Sequence, residues 1–544
     1  MTRSHRSSWF AATLAAFASL AFTHAPGALA VTVPPGTALA AKQEITRQVL
    51  AEVESLDPAY IETTGANLIG IDLYEGLTHL DAAGNVVPGV AVSWTQTAPD
   101  TWVFKLRHDA KWSDGHAVTA ADFVYAWQRL VDPKTASPYT VAVEFVKNAK
   151  AVIAGKQPPA SLGVRAVDAY TLEVKTEAPV PFLPETLFNS SMAPLDRATI
   201  AKSGDAWTRP GNLVGNGAYM LTEWQPNNRI VLVKNPHYWN AANVRIAKVT
   251  WVPIENNETA MRMFQAGQID MTYEVPSGQY ASLTKQFGAE LRANTQIGTY
   301  YYALNNTNAA LRDARVRQAL SMVVDRDLLT AKITQSGERP AYGVVAQGTK
   351  GADTYAPEWA AWPMTQRVEK ARELMKAAGY SEAKPLTLSL VYNTNDMHKK
   401  VALFTTSEWR SKLGVNAKLE NLEFKVLLKQ RHEGAYQVAR DGWYADYNDA
   451  TSFYNLVKCG SPQNDQRNCN AKADALVVEA NLQSDAGQRK ARMTQAFALA
   501  QADSPLLPLF QYANVRLVKS YVGGYTLTNY LDQRATQDMY ILKH

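Results

Sequence analysis

Strand-like and helix-like segments alternate along almost the whole chain, and that alternation restricts the fold to a mixed α/β architecture. Thr101 to Arg107 switches between apolar and polar side chains, the pattern of a strand with one buried face. The turn Ser113-Asp114-Gly115 follows. Thr119, with Asp122 three residues on, makes a capping-box-like start for a helix over 120–130. Further on, residues 313–333 keep a 3.6-residue apolar period through Val316, Ala319, Leu320, Val323 and Val324, which predicts one helical stretch. A second helix is expected over 366–378, stopped by Gly379. A strand over 386–392 and a turn into a strand over 413–419 complete the coarse pattern. No internal repeat and no long linker occur, so the 544 residues point to interwoven domains rather than a string of them.

The N-terminus reads as an export signal. Arg3 and Arg6 precede a short apolar run from Trp9 to Phe22, and Ala28-Leu29-Ala30 is a small-x-small cleavage site. A signal anchor is the competing reading, but the run is short for a bilayer. No cysteine occurs before Cys459, so a lipid anchor just after the signal has no attachment point. Cys459 and Cys469 are the only two cysteines. In an oxidising compartment they suit one disulfide; a metal pair is the alternative, with no histidine or third cysteine nearby.

The balance of charge is modest. A net +5 falls to about +3 without Arg3 and Arg6, and no run of five basic residues exists, which argues against a nucleic-acid surface. Catalytic signatures are broken or missing. There is no G-x-S-x-G elbow. Met220 stands where a dinucleotide fingerprint after Gly215-Asn216-Gly217 needs its third glycine, and Thr349 splits the Gly348-Lys350 step of a phosphate loop. His108 and His116 flank a turn and are expected at the surface. What remains is Ala439-Arg440-Asp441-Gly442-Trp443-Tyr444-Ala445-Asp446-Tyr447-Asn448, with Arg431 upstream and His398 further back. It can serve as a binding strand or as a surface strand with solvated charges.

At this segment the chain resembles the periplasmic oligopeptide-binding proteins of peptide ABC importers, within the wider family of peptide- and nickel-binding proteins. The resemblance covers nearly all of the mature chain. It is carried by Trp102-x-Phe104-x-Leu106-Arg107, by Ala110-Lys111-Trp112-Ser113-Asp114-Gly115, and by the run from Ala121 to Arg129. Val324-Asp325-Arg326-Asp327, Arg440 to Tyr447, and Val522-Gly523-Gly524-Tyr525 add to it.

The resemblance implies a two-lobed periplasmic-binding-protein fold of the class II type that closes about a hinge. The signal would occupy residues 1–30. The first lobe would comprise 31–74, 199–297 and 514–544, with an additional domain at 75–198, and the second lobe would comprise 298–513. It implies a monomeric, non-catalytic periplasmic receptor, without cofactor or membrane anchor, that delivers short peptides to an inner-membrane ABC permease. Murein peptide, a dipeptide or haem would be narrower ligands for the same fold, and a secreted hydrolase is the remote alternative.

By the same resemblance, Asp446 would take the peptide's α-ammonium. Glu62-Thr63-Thr64 and Gly442-Trp443-Tyr444 would pair as strands with the ligand backbone. Tyr139 and Tyr301 would line the cleft. Arg431, Arg440 and His398 would meet peptide C-termini of different lengths, guanidinium groups being suited to carboxylates. Glu62 would pair with one of these arginines. The chain departs from the family at Thr334, where a lysine is expected, and at Phe424, where a tryptophan is expected. Gly298 and Tyr444 occupy the positions of a family disulfide.

Overall fold

A computed structural model describes residues 33–276, 278–483 and 485–544, without the side chains of Phe424 and Lys425. The expected signal at 1–30 and the pocket role of Phe424 lie outside the described residues.

Three larger sheets organise the chain. In the first, Glu44–Val49 pairs in parallel with Lys248–Pro253, and Arg229–Lys234 and Tyr219–Gln225 follow in antiparallel order. In the second, Ala91–Ala98, Thr101–Leu106, Thr171–Lys175 and Val164–Asp168 form an antiparallel sheet. These two sheets share one apolar core that runs from Ile45 and Trp251 to Phe104 and Trp127. The third has six strands in the order Arg339–Pro340, Leu506–Leu517, Leu291–Leu304, Val438–Tyr444, Thr387–Asn393, Asn416–Leu422. Each of its faces carries its own core.

The expected elements recur with informative exceptions. The strand Thr101–Leu106 buries Trp102, Phe104 and Leu106 on alternate positions, as its sequence predicts. The helix Ala120–Val131 begins where Asp122 accepts the Thr119 N–H at 2.8 Å. Gly115 and Gly379 both adopt positive φ, at 98° and 87°: the first sits in the expected turn, the second just past the helix Met364–Ala377.

The single helical stretch over 313–333 is not continuous. Ala314–Met322 ends, and a new helix starts at Arg326–Leu328, followed by a π-helical turn, Leu329–Thr334. Asp325 is the reason: its side chain accepts the Leu328 N–H at 2.9 Å and caps a second helix. Buried Arg326 bridges the break by donating to the carbonyls of Ser321 and Val324. Val323 and Val324 are buried too, so the apolar period runs on through a point where the backbone does not.

Two long strands connect the sheet systems. Residues 291–295 of Leu291–Leu304 pair with 513–517 of Leu506–Leu517. The register then shifts, and 299–303 pair with 506–511. On one side of this irregularity Leu517 packs with Ile254 and Phe264; on the other, Tyr300 and Phe510 join a core of the six-stranded sheet.

No helix among the described residues is long and apolar enough to cross a membrane.

Candidate functional site

A cleft of about 710 Å³ lies where these parts meet, lined from one side by Glu62, Thr63, Thr64, Tyr139 and Glu274 and from the other by Tyr300, His398, Tyr444 and Asp446. The strand Val438–Tyr444 explains much of its wall. It pairs with 298–304 along its whole length. On its other side only Val438 and Ala439 are paired, with Leu390 and Val391. Among the described residues, 440–444 therefore leave that edge without a strand partner.

Alternation along this strand separates the expected site residues into two groups. Arg440, Gly442 and Tyr444 share the face of Tyr300 and Tyr512. The Arg440 guanidinium sits 4.9 Å from the Tyr300 ring centre and donates to the Tyr512 hydroxyl at 2.9 Å. Tyr444 stacks on Tyr512 with ring centres 4.4 Å apart. A Cβ on Gly442 would come within 2.2 Å of the Tyr512 oxygen, so a glycine is needed there. The Gly442 N–H itself donates to Asp441 Oδ1 at 2.7 Å.

Asp441 and Trp443 point the other way. Trp443 Nε1 donates to Ser452 Oγ at 3.2 Å, so only its backbone can serve the cleft. Tyr301, expected to line the cleft, is fully buried and donates to Asp441 Oδ2 at 2.6 Å. Arg431, expected at a peptide terminus, is also buried and pairs with Asp441 and Asp465. Both corrections have one cause: Tyr301 and Asp441 face the sheet surface opposite to Tyr300 and Arg440, and Arg431 packs there.

Glu62-Thr63-Thr64 lines the cleft, but not as a strand. Thr63 caps the helix Thr64–Leu73, accepting the Ala66 N–H at 3.2 Å. The Glu62 and Thr63 N–H groups already donate to Glu54 Oε1, at 2.7 and 2.8 Å. Glu62 is exposed and, among the described residues, pairs with no arginine, contrary to expectation. Of its candidate partners, Arg431 lies on the helix Phe424–Glu433 and is held by Asp441 and Asp465, and Arg440 lies on the strand Val438–Tyr444 and donates to Tyr512.

Asp446 stands at the end of the Val438–Tyr444 segment, and its N–H donates to Ser452 Oγ at 3.2 Å. Water reaches its carboxylate, yet the surrounding walls desolvate the site and push the carboxyl up to about 6. No cation among the described residues faces it, and its charge is felt by Tyr139 on the opposite wall. Burial, aided by nearby Arg440, pushes the His398 imidazole down to about 3, so it is neutral and its buried Nδ1 has no partner among the described residues.

Tyr300, Phe510, Tyr512, Asn514, Glu274 and Glu338 also line the cleft, and no sequence motif singled them out. The tyrosine run 300–302 signals a two-faced strand, but not which face meets the cleft.

Residues 85–465 match the model of bacterial extracellular solute-binding proteins, family 5 middle region. The chain belongs to family 5. Among family 5 relatives, the periplasmic oligopeptide-binding protein OppA of Escherichia coli (strain K12) is 44% identical over 520 residues, covering 95% of this chain and 96% of the relative. The solved structure of Burkholderia pseudomallei OppA is 62% identical, with a TM-score of 0.76, covering 93% of this chain and all of that one. A murein tripeptide binding protein, MppA, in its unliganded open form is 40% identical but has a TM-score of 0.87, covering 94% and 99% of the two chains.

Proposed function

We propose that this protein is an exported receptor that captures short peptides between two lobes and hands them to an ABC import permease. The observation that carries the reading is the meeting, at one cleft, of a carboxylate with no counter-charge among the described residues and the end, at Tyr444, of a strand edge that has no strand partner among them. Asp446 suits the α-ammonium of a peptide, and residues 440–444 suit its backbone by β-augmentation, which is indifferent to side chains. Arg440 and His398, whose buried nitrogens lack partners among the described residues, suit the α-carboxylate.

Residues 31–74, 199–297 and 514–544 would form the first lobe, 75–198 the additional domain and 298–513 the second lobe. The bends in Leu291–Leu304 and Leu506–Leu517 would then be the hinge. Closure would bring Glu62 and Thr63 toward the Arg440 wall and complete the site. The receptor acts as a monomer without catalysis, and residues 1–30 direct export and are removed.

A narrower murein peptide ligand is the second reading, favoured by the likeness to the open murein tripeptide binding protein. Mass spectrometry of the purified, denatured protein tests both. A mixture of short peptides supports the first, a single murein-derived species the second, and no peptide at all contradicts the receptor reading.

A further inference from the structure

Phe182 and Glu185 touch the segment that follows Asp446, from the other side of the cleft. The turn that carries them is short and anchored. Leu183 and Leu187 are fully buried in the core shared by the first two sheets, and Thr78 Oγ1 donates to the Pro184 carbonyl at 2.9 Å. The Glu185 N–H donates to the Phe182 carbonyl at 2.9 Å, so both side chains stand on one tight 3₁₀ turn, Leu183–Thr186.

Opposite them is a platform built on residues 447–450. The rings of Phe182 and Tyr447 stack, with centres 4.9 Å apart and planes within 7°. The Arg489 guanidinium lies 5.9 Å from the Phe182 ring centre and is itself held by Asp449 at 2.6 and 2.9 Å. Lys350 Nζ donates to Glu185 Oε1 at 3.2 Å. The backbone of Lys350 grips the same platform: its N–H donates to Asn448 Oδ1 at 2.9 Å, and its carbonyl accepts the Ala450 N–H at 2.8 Å.

Glu185 is not an idle surface charge. Its Oε2 is buried and has no partner among the described residues, and burial raises its carboxyl above the usual range while Lys350 opposes that rise. The lysine across the gap is what keeps it ionised there.

Both contacts end on the stretch directly after Asp446, yet none of the four side chains lines the cleft. Tyr139, on the wall facing Asp446, belongs to the same 75–198 stretch as Phe182, and so do Phe188 and Asn189 of the cleft. The spacing between Asp446 and that wall is therefore set from outside the cleft, by one aromatic stack and one ion pair.

We propose that Phe182 and Glu185 are positioning residues: they clasp the platform at Tyr447 and Lys350 and hold Asp446 in register with the Tyr139 wall, where a peptide's α-ammonium is received. The clasp gives residues 75–198 a part in binding. Without it, rotation of the lobes leaves that spacing free to vary, and an ion contact weakens as its separation grows. This inference rests on the peptide-receptor reading.

Calorimetry with one tripeptide in free and N-acetylated forms tests it, on wild type, Phe182→Ala, Phe182→Tyr and Lys350→Met, with melting temperatures measured alongside. Phe182→Ala should weaken the free peptide by about five-fold or more and leave the acetylated one within about two-fold. Phe182→Tyr keeps the stack and should keep the wild-type ratio between the two forms. Lys350→Met acts from the opposite side without touching 75–198, and it should shrink the ratio in the same direction. Equal losses for both forms in Phe182→Ala, or no loss in either variant, overturns the clasp. If the wild type prefers the free amine and the variants keep that preference, the clasp falls and the receptor reading stands. If the wild type binds no peptide, both fall.

Discussion

Arg431 Nε donates to Asp465 Oδ2 over 2.8 Å, and the same guanidinium closes on Asp441, on the face of the six-stranded sheet turned away from the cleft. Neither residue lines the cleft. Removing one partner of a buried ion pair leaves the other charged and unpaired, at a cost of about 3–5 kcal/mol. Arg431→Ala should therefore lower unfolding stability by about that amount in urea titrations, while the folded fraction keeps peptide affinity within about two-fold. A large affinity loss at unchanged stability would put Arg431 back at the ligand.

Asp446 gives binding a defined pH dependence. Burial holds its carboxyl at about 6 in the empty cleft. An ammonium ion beside it favours the ionised form and lowers that value in the complex. The free protein then binds the extra proton, so affinity is level above about pH 6 and falls below it, by up to ten-fold per pH unit. Calorimetry between pH 4.5 and 8 on wild type and Asp446→Asn checks this; the acid-side slope should be reduced in the variant. The folded protein gains in the opposite sense: a carboxyl raised above its unfolded value opposes folding once the unfolded chain ionises, so Asp446→Asn should be slightly more stable than wild type at pH 7 and equal to it at pH 3.

His398 works in the opposite direction on stability. Its folded value, about 3, lies below the ordinary 6.5, so the unfolded chain takes the proton first. That contribution is whole above about pH 6.5 and is lost as pH falls toward 3. His398→Gln should flatten the decline in melting temperature over that window; an unchanged decline would mean that other groups carry it.

Gly442→Ala places a methyl carbon within 2.2 Å of the Tyr512 oxygen. Tyr512 must shift, and with it the hydrogen bond to Arg440 and the stack on Tyr444. Peptide affinity should fall by about ten-fold or more. Tyr512→Phe combined with Gly442→Ala should recover part of the loss, because the clash is with the hydroxyl.

The Cys459–Cys469 disulfide closes a loop with a sequence separation of 10. Its loss in a Cys459→Ser, Cys469→Ser variant should cost about 2–3 kcal/mol of stability. No residue of that loop lines the cleft, so peptide affinity should be unchanged in the same variant.

The strand at 101–106, the capped helix after Thr119 and the disulfide could be read from the sequence because each rests on residues near one another in the chain. Asp446, Tyr139, His398 and Tyr444 come from the resemblance, and all four line one cleft; Arg440, Gly442 and Trp443, from the same strand, are not among its lining residues. What escaped was information about faces. A period of two separates Tyr300 and Tyr302 from Tyr301, but only the pairing of 291–304 with 506–517, some two hundred residues away, decides which side meets the cleft. That Glu338 and Asn514 line one cleft escaped for the same reason: it depends on how segments far apart in the chain come together. The helix break at Asp325 escaped because burial of Val323 and Val324 preserves the apolar period across it.

The central claim is that the cleft holds a peptide by its charged ends and its backbone. Calorimetry of one short peptide in free, N-acetylated and C-amidated forms on the wild-type protein at pH 7.5 tests it most directly. The account predicts that each block weakens binding by at least about ten-fold, and that Asp446→Asn loses sensitivity to the acetyl group alone. Equal affinities for all three forms on the wild-type protein would contradict it.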